Sequence, residues 1–114
     1  MEPKIYLDYT QEELDQQYEH RSFVPDGDDF LARTEADSDR VRAAADGLFD
    51  VAYGPGADQL LDIYPAGRGG MSPVVVFFHG GRWSRGGKTS NVESLAMYNA
   101  AGVNFVSVGF TLIP

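Results

Sequence analysis

Residues 74–87 have the sequence VVVFFHGGRWSRGG, a run of five apolar residues followed by a glycine-rich segment. The apolar run is continuous rather than alternating, which is typical of a parallel strand that is covered on both faces. We therefore expect a central parallel strand at 74–78. The segment HGGRW that follows would lie at the carboxyl end of this strand, where open parallel sheets place their ligand sites.

The residue types in HGGRW suggest a particular chemistry. Adjacent glycines, here Gly80 and Gly81, let the backbone turn sharply and bring its N–H groups close to a ligand. Such N–H groups can stabilise a developing oxyanion without any cationic side chain. The alternative is a tight turn in which the glycines only permit a positive φ and Trp83 only fills the core. The complete pattern H-G-G-x-W after a valine strand favours the oxyanion site over that turn.

Before this strand, the sequence predicts two helices and a hairpin. Thr10 and Glu13 have the spacing of a capping box, which predicts a helix from about 10 to 20. A second helix is expected over about 28–46, ending at Gly47. Its predicted apolar side is formed by Leu31, Val41, Ala44 and Ala45. The β-prone runs 48–53 and 60–64, separated by turn residues, predict a hairpin.

After the glycine-rich segment, the sequence predicts a crossover. Helical spacing over 90–102, with Gly102 as a stop, is followed by a β run at 103–110. Together with the strand at 74–78, these segments form one βαβ unit. The fold class is therefore α/β, and we distinguish a helical segment at 1–47 from the sheet-bearing core at 48–114.

Composition excludes several classes of function. The 114 residues include no cysteine, which excludes disulfides, thiolate metal sites and a cysteine nucleophile. No cluster of potential ligands has metal spacing, so neither a metal nor an organic cofactor is expected. The absence of a leader-like or membrane-spanning apolar stretch predicts a cytoplasmic protein that does not bind membranes.

The formal net charge of −8 arises from the first half of the chain. Residues 1–50 contain 14 acidic and five basic residues, whereas residues 51–114 contain three acidic and four basic ones. Because phosphate binding needs clustered cations, this distribution argues against a nucleic-acid partner. The acidic residues are interpreted mainly as solvated helix faces, with an acidic docking tail as the less favoured alternative.

The chain resembles the front of an α/β-hydrolase of the arylformamidase (kynurenine formamidase) and carboxylesterase type. The resemblance rests on YGPGADQLLDIYPAGRGGMSPVVVFFHGGRWSRGGKTS at 53–90, on GFTLIP at 109–114 and on QEELDQQYEHR at 11–21. In that family an H-G-G-x-W segment lends backbone N–H groups to the oxyanion hole. Two positions depart from the family pattern: Arg82 replaces a common aromatic residue, and Gly109 replaces a common acidic residue.

The resemblance implies roles for the residues that match the motif. The N–H groups of Gly81 and Arg82, with Gly80 permitting the turn, would form the oxyanion hole. His79 would support the loop rather than transfer a proton, and His20 is given no catalytic role. Trp83 would pack the loop or line the substrate pocket. The cationic residues Arg82, Arg85 and Lys88 would either meet a substrate carboxylate or be solvated, and we expect Trp83, Arg82 and Arg85 to contact substrate.

The sequence contains no nucleophile elbow. Acyl transfer in this fold needs a serine in G-x-S-x-G, followed by an acid and a histidine, and none of the seven serines has that frame. We therefore expect a split or cleaved serine hydrolase of esters or activated amides, in which a complementary C-terminal fragment or chain brings the triad and covers an otherwise open sheet. The alternative is a truncated, non-catalytic remnant that acts as a binding module.

Overall fold

The computed structural model describes residues 2–114. Their helices and strands follow in the order α1 (Gln11–Tyr18), a 3₁₀ turn (His20–Phe23), α2 (Gly27–Ala44), β1 (Leu48–Ala52), β2 (Leu60–Tyr64), β3 (Val74–Phe78), α3 (Leu95–Ala100) and β4 (Asn104–Val108). The chain divides into two compact units inside α2, after Arg33, rather than at residue 47.

The first unit, which ends at Arg33, contains the predicted capping box. The Thr10 hydroxyl accepts from the backbone N–H of Glu13, and the Glu13 carboxylate accepts from the backbone N–H of Thr10 at 2.8 Å. The Lys4 ammonium donates to the same carboxylate at 2.9 Å. These bonds satisfy orphan N–H groups at the start of α1 and fix where the helix begins.

The second unit, Thr34–Pro114, contains one four-stranded sheet in the order β1-β2-β4-β3. The pairs β1/β2 and β2/β4 are antiparallel, and β3/β4 is parallel. The predicted hairpin and the predicted βαβ crossover are therefore confirmed. This mixed α/β sheet agrees with the expected fold class.

Within the second unit, the core lies between one face of the sheet, the C-terminal part of α2 and α3. Phe105 of β4 is opposite both Tyr64 of β2 and Val75 of β3, so these three side chains share a face. Val41 of α2 and Leu95 of α3 pack into the same cluster. The β3 prediction needs correction, because β3 is an edge strand of the sheet rather than a central one.

The other face of the sheet is uncovered. Val74, Val76 and Phe78 are 54%, 54% and 62% exposed, so β3 is covered on one face and not on both as predicted. Strand pairing puts further apolar side chains on this face. We call it the open face, and it comprises Leu48, Ile63, Val74, Val76, Phe78 and Val106. An apolar surface of this kind is typical of an interaction site.

Helix boundaries differ from the predictions for identifiable reasons. Helix α2 ends at Ala44 and not near Gly47, and an added Cβ at Gly47 would lie 2.9 Å from the Phe49 ring, so the glycine serves packing. Leu31, expected on the apolar side, is 46% exposed. The predicted helix at 90–102 is regular only over Leu95–Ala100, although Gly102 ends it with φ +80° as expected. Within residues 2–114, no helix is long and apolar enough to cross a membrane.

Candidate functional site

The HGGRW loop, residues 79–83, begins immediately after β3 and has an unusual backbone. Gly81 has φ +130°, and the non-glycine residues Arg82 and Trp83 follow at +53° and +57°. Consecutive left-handed non-glycine residues are costly, at about 1 kcal/mol or more each, and such conformations cluster at functional sites. The turn is closed by the Gly81 carbonyl, which accepts from the backbone N–H groups of Ser84 (3.1 Å) and Arg85 (3.2 Å).

This backbone leaves two donors available. Among the residues that the structure describes, the N–H groups of Gly80 and Gly81 have no hydrogen-bond acceptor. An ideal Cβ at Gly80 would meet no atom within 4 Å, so its surroundings are open. By contrast, a Cβ at Gly81 would overlap the Arg85 carbonyl oxygen, so only glycine fits there. Adjacent unpaired N–H groups are suited to an anionic oxygen.

His79 is tied to the loop rather than aimed at solvent. It is 6% exposed, and its Nδ1 lies 2.7 Å from the Gly80 carbonyl oxygen, which can only accept. Nδ1 therefore carries the proton. The ring stacks on Phe110 with centroids 4.4 Å apart and an interplanar angle of 12°. These contacts hold the His79 ring against the Gly80–Gly81 peptide, and its Nε2 is buried without a hydrogen-bond partner in residues 2–114. Support of the loop stays the predicted role of His79.

The segment after β4 braces the other end of the loop. The backbone N–H of Ile113 donates to the Trp83 carbonyl at 2.7 Å. Upstream, Gly109 donates to the Leu60 carbonyl at 2.8 Å, and its own carbonyl accepts from the Tyr53 hydroxyl at 2.8 Å. Gly109 is the position where the family pattern has an acidic residue. Here a Cβ would lie 3.0 Å from two carbonyl oxygens, so the site has no room for one.

An open groove runs along the HGGRW loop. Its volume is about 590 Å³, within the range of small-molecule sites. The lining residues are Phe78, His79, Gly80, Gly81, Arg82, Trp83 and Phe110. Trp83 is 71% exposed, so the expectation that it packs the loop is wrong for this chain, while its pocket-lining role stays a prediction.

The predicted cationic cluster is not a cluster in the structure. Arg82 and Arg85 are exposed, but the Lys88 side chain is only 17% exposed and is turned into the sheet. Its ammonium lies 2.6 Å from the Asp62 carboxylate and 2.9 Å from that of Asp50. Lys88 was grouped with the arginines because they are close in sequence, and its ion pairs exclude it from meeting a substrate carboxylate.

Burial lowers the pKa of the Lys88 ammonium, but hydrogen bonds and charge attraction from Asp62 and Asp50 outweigh it, so the net shift is upward. Lys88 is therefore firmly cationic. Sequence reasoning missed Asp62, which is fully buried. The only signal was an acidic residue inside the apolar run LLDIY.

Other candidate chemistry is limited in the described part of the chain. Residues 2–114 contain no group of three or more potential metal ligands close enough to hold an ion. His20 lies in the exposed 3₁₀ turn. The HGGRW loop and its groove are therefore the candidate functional site.

Comparison with known proteins finds related sequences and one related fold. The chain is 28% identical over 112 residues to the kynurenine formamidase of Danio rerio, which covers 92% of the chain. Over 96% of its own length, the chain is also 28% identical to the kynurenine formamidase of Salmo salar. The chain is weakly homologous to kynurenine formamidases. It spans about two fifths of the length of these relatives. No protein-family model matches it.

A solved structure shares the fold. The crystal structure of a candidate thioesterase from Silicibacter sp. superposes with a TM-score of 0.74 and 24% identity. The match covers 90% of this chain and 39% of the other. At this identity the likeness shows the fold alone, which is a mixed α/β, hydrolase-like architecture with a four-stranded sheet.

Proposed function

We propose that this chain supplies the oxyanion-hole loop of a serine hydrolase that cleaves an ester or an activated amide, such as an aryl formamide, through an acyl-enzyme. The observation that carries the proposal is the pair of unpartnered N–H groups at Gly80 and Gly81, facing an open groove at the carboxyl end of β3. The weak homology to kynurenine formamidases supports this reaction class.

The chemistry is divided between two parts. A serine, a histidine and an acid from a complementary chain would form the acyl-enzyme. The loop would stabilise the tetrahedral intermediate, with Gly80 and Gly81 as donors and the Arg82 N–H as a third candidate. The exposed side chains of Trp83, Arg82 and Arg85 would contact the substrate.

The open face supports a partner. An apolar sheet face needs a covering layer, and three fifths of each relative's length lies outside the match. We propose that the complementary chain covers this face and completes the active site.

A labelling experiment tests the division of labour. The protein is purified under native conditions, treated with a fluorophosphonate probe and weighed by intact mass spectrometry. We expect the probe on a heavier, copurifying chain and none on the 12.5 kDa chain. A lone, folded and unlabelled 12.5 kDa species with no esterase or formamidase activity would favour the binding-module alternative.

A pair of glycine variants tests the loop. Ala at Gly80 or Gly87 would meet no atom within 4 Å, and neither residue has a positive φ that disfavours a side chain. Only Gly80 lines the groove. We expect Gly80→Ala to lower turnover of an aryl formamide by about tenfold or more, because it crowds the oxyanion position. The Gly87→Ala variant should turn over the aryl formamide at the same rate as the wild type. Equal turnover of both variants would mean that HGGRW is only a turn.

A further inference from the structure

A buried ion pair anchors the segment that follows the HGGRW loop. Asp62 on β2 is fully buried and accepts from the Lys88 ammonium at 2.6 Å and from the Asp50 backbone N–H at 3.0 Å. Its other carboxylate oxygen, Oδ2, has no partner in residues 2–114. An ion pair that is only partly satisfied contributes little to stability compared with an apolar pair, so stability alone does not account for it.

Lys88 is held by its backbone as well as by its side chain. The Ser107 hydroxyl, fully buried on β4, donates to the Lys88 carbonyl at 2.6 Å. Two neighbouring strands, β2 and β4, thus fix one residue of the segment that leaves the HGGRW loop. Lys88 occupies a defined position relative to the sheet.

Gly86 connects the position of Lys88 to the conformation of the HGGRW loop. Gly86 has φ +86°, and a Cβ there would lie 2.8 Å from His79 Nδ1 and 2.9 Å from the Gly80 carbonyl oxygen. The backbone two residues before Lys88 is therefore packed directly on the His79 ring and on the peptide that joins Gly80 to Gly81, whose N–H is that of Gly81. Moving Lys88 away from Asp62 would release this contact.

We propose that the Lys88–Asp62 ion pair is a positioning device that sets the orientation of the Gly80 and Gly81 N–H groups. An ion pair with directional hydrogen bonds suits this task, since its geometry allows one placement of the backbone. Two apolar side chains in contact could shift relative to each other. The inference rests on the proposed function for its catalytic consequence, but its structural part, the anchoring of the loop, stands by itself. Lys88 touches no reacting atom in this scheme.

The test separates anchoring from folding and from activity. Lys88→Met alone would leave a buried, unpaired Asp62, so it is made together with Asp62→Asn, which removes both charges and keeps an acceptor for the Asp50 N–H. The control is Arg40→Met, which breaks the exposed Arg40–Asp37 pair on α2. Amide hydrogen exchange is measured in the full chain with its partner at Ser84 and Arg85, whose N–H groups donate to the Gly81 carbonyl, and at Ile113, whose N–H donates to the Trp83 carbonyl.

We expect the double variant to unfold cooperatively, with exchange at these three amides about tenfold faster than in the wild type and in Arg40→Met. In the assembled hydrolase, kcat should fall about tenfold with little change in KM, because a misplaced donor affects the transition state. Unchanged exchange in the folded double variant would overturn the proposal. If exchange is faster in the double variant but even the wild-type sample has no hydrolase activity, the anchoring role of the ion pair is retained and the proposed function is refuted.

Discussion

Single residues decide whether the candidate site can form. Position 81 accepts only glycine, because its φ is positive and a Cβ would overlap the Arg85 carbonyl oxygen. Position 86 is restricted in the same way, because a Cβ there would press on His79. Gly81→Ala would not report on chemistry alone, since the methyl group would displace the turn itself. Gly80, with open surroundings, separates chemistry from folding.

A substitution of Gly109 should change the stability of the second unit. Gly109→Asp, which would restore the residue type common in the family pattern, should destabilise the second unit by about 2–4 kcal/mol. The reason is that the Cβ would press on the Asp58 and Leu60 carbonyl oxygens, each 3.0 Å away. Chemical denaturation measures the loss. Gly69→Asp, at a site with no atom within 4 Å, is the control and should match the wild type.

At the scale of elements, local patterns were sufficient where the interactions are local. The capping box, the hairpin and the crossover follow from short-range spacing and turn residues. Ser38, however, is buried in α2 because its hydroxyl accepts from the Val92 N–H at 3.1 Å and donates to Glu93 at 3.0 Å. No sequence pattern indicates partners that are so distant along the chain. The same holds for Lys88 and Asp62, whose pairing is visible only once the sheet is assembled.

The edge position of β3 was missed for a related reason. A continuous apolar run indicates that both faces will be covered, but it does not say which polypeptide covers them. The unpartnered N–H groups of the site were likewise inaccessible to sequence reasoning. The H-G-G-x-W pattern located the loop, and only the backbone shows which groups it leaves available.

Helix α1 gives a pH prediction. Hydrogen bonding from the Thr10 N–H, followed by the contact with Lys4, lowers the pKa of Glu13 from 4.5 to about 2. Because the folded pKa is below the ordinary value, the contribution of Glu13 is complete above pH 4.5 and is lost as the pH falls through about 2. Helical circular dichroism from α1 should decrease over this window. Glu13→Gln keeps the capping box but cannot titrate at this position, so its helicity should decrease less than that of the wild type over the same window.

At the scale of the whole molecule, the open face gives the last prediction. Val76→Lys places a charge on the exposed β3 part of this face, and burying that charge should weaken binding of the complementary chain by about 2 kcal/mol or more, roughly 30-fold. The isolated chain should also bind less hydrophobic dye. Met97→Lys, on an exposed position of α3, should change neither property. Equal affinity of both variants, measured by titration calorimetry, would show that the partner does not contact this face.

The bond from the Ile113 N–H to the Trp83 carbonyl has a consequence for synthesis. A ribosome completes β3 and the HGGRW loop long before it adds Ile113, and Phe110, the stacking partner of His79, also arrives late. The strained turn therefore lacks its brace while the intervening residues emerge. Before β4 emerges, the nascent chain can pair only β1 with β2, because β3 has β4 as its only partner in the described sheet. The candidate oxyanion loop therefore takes its final shape only when β4 and the residues after it are in place.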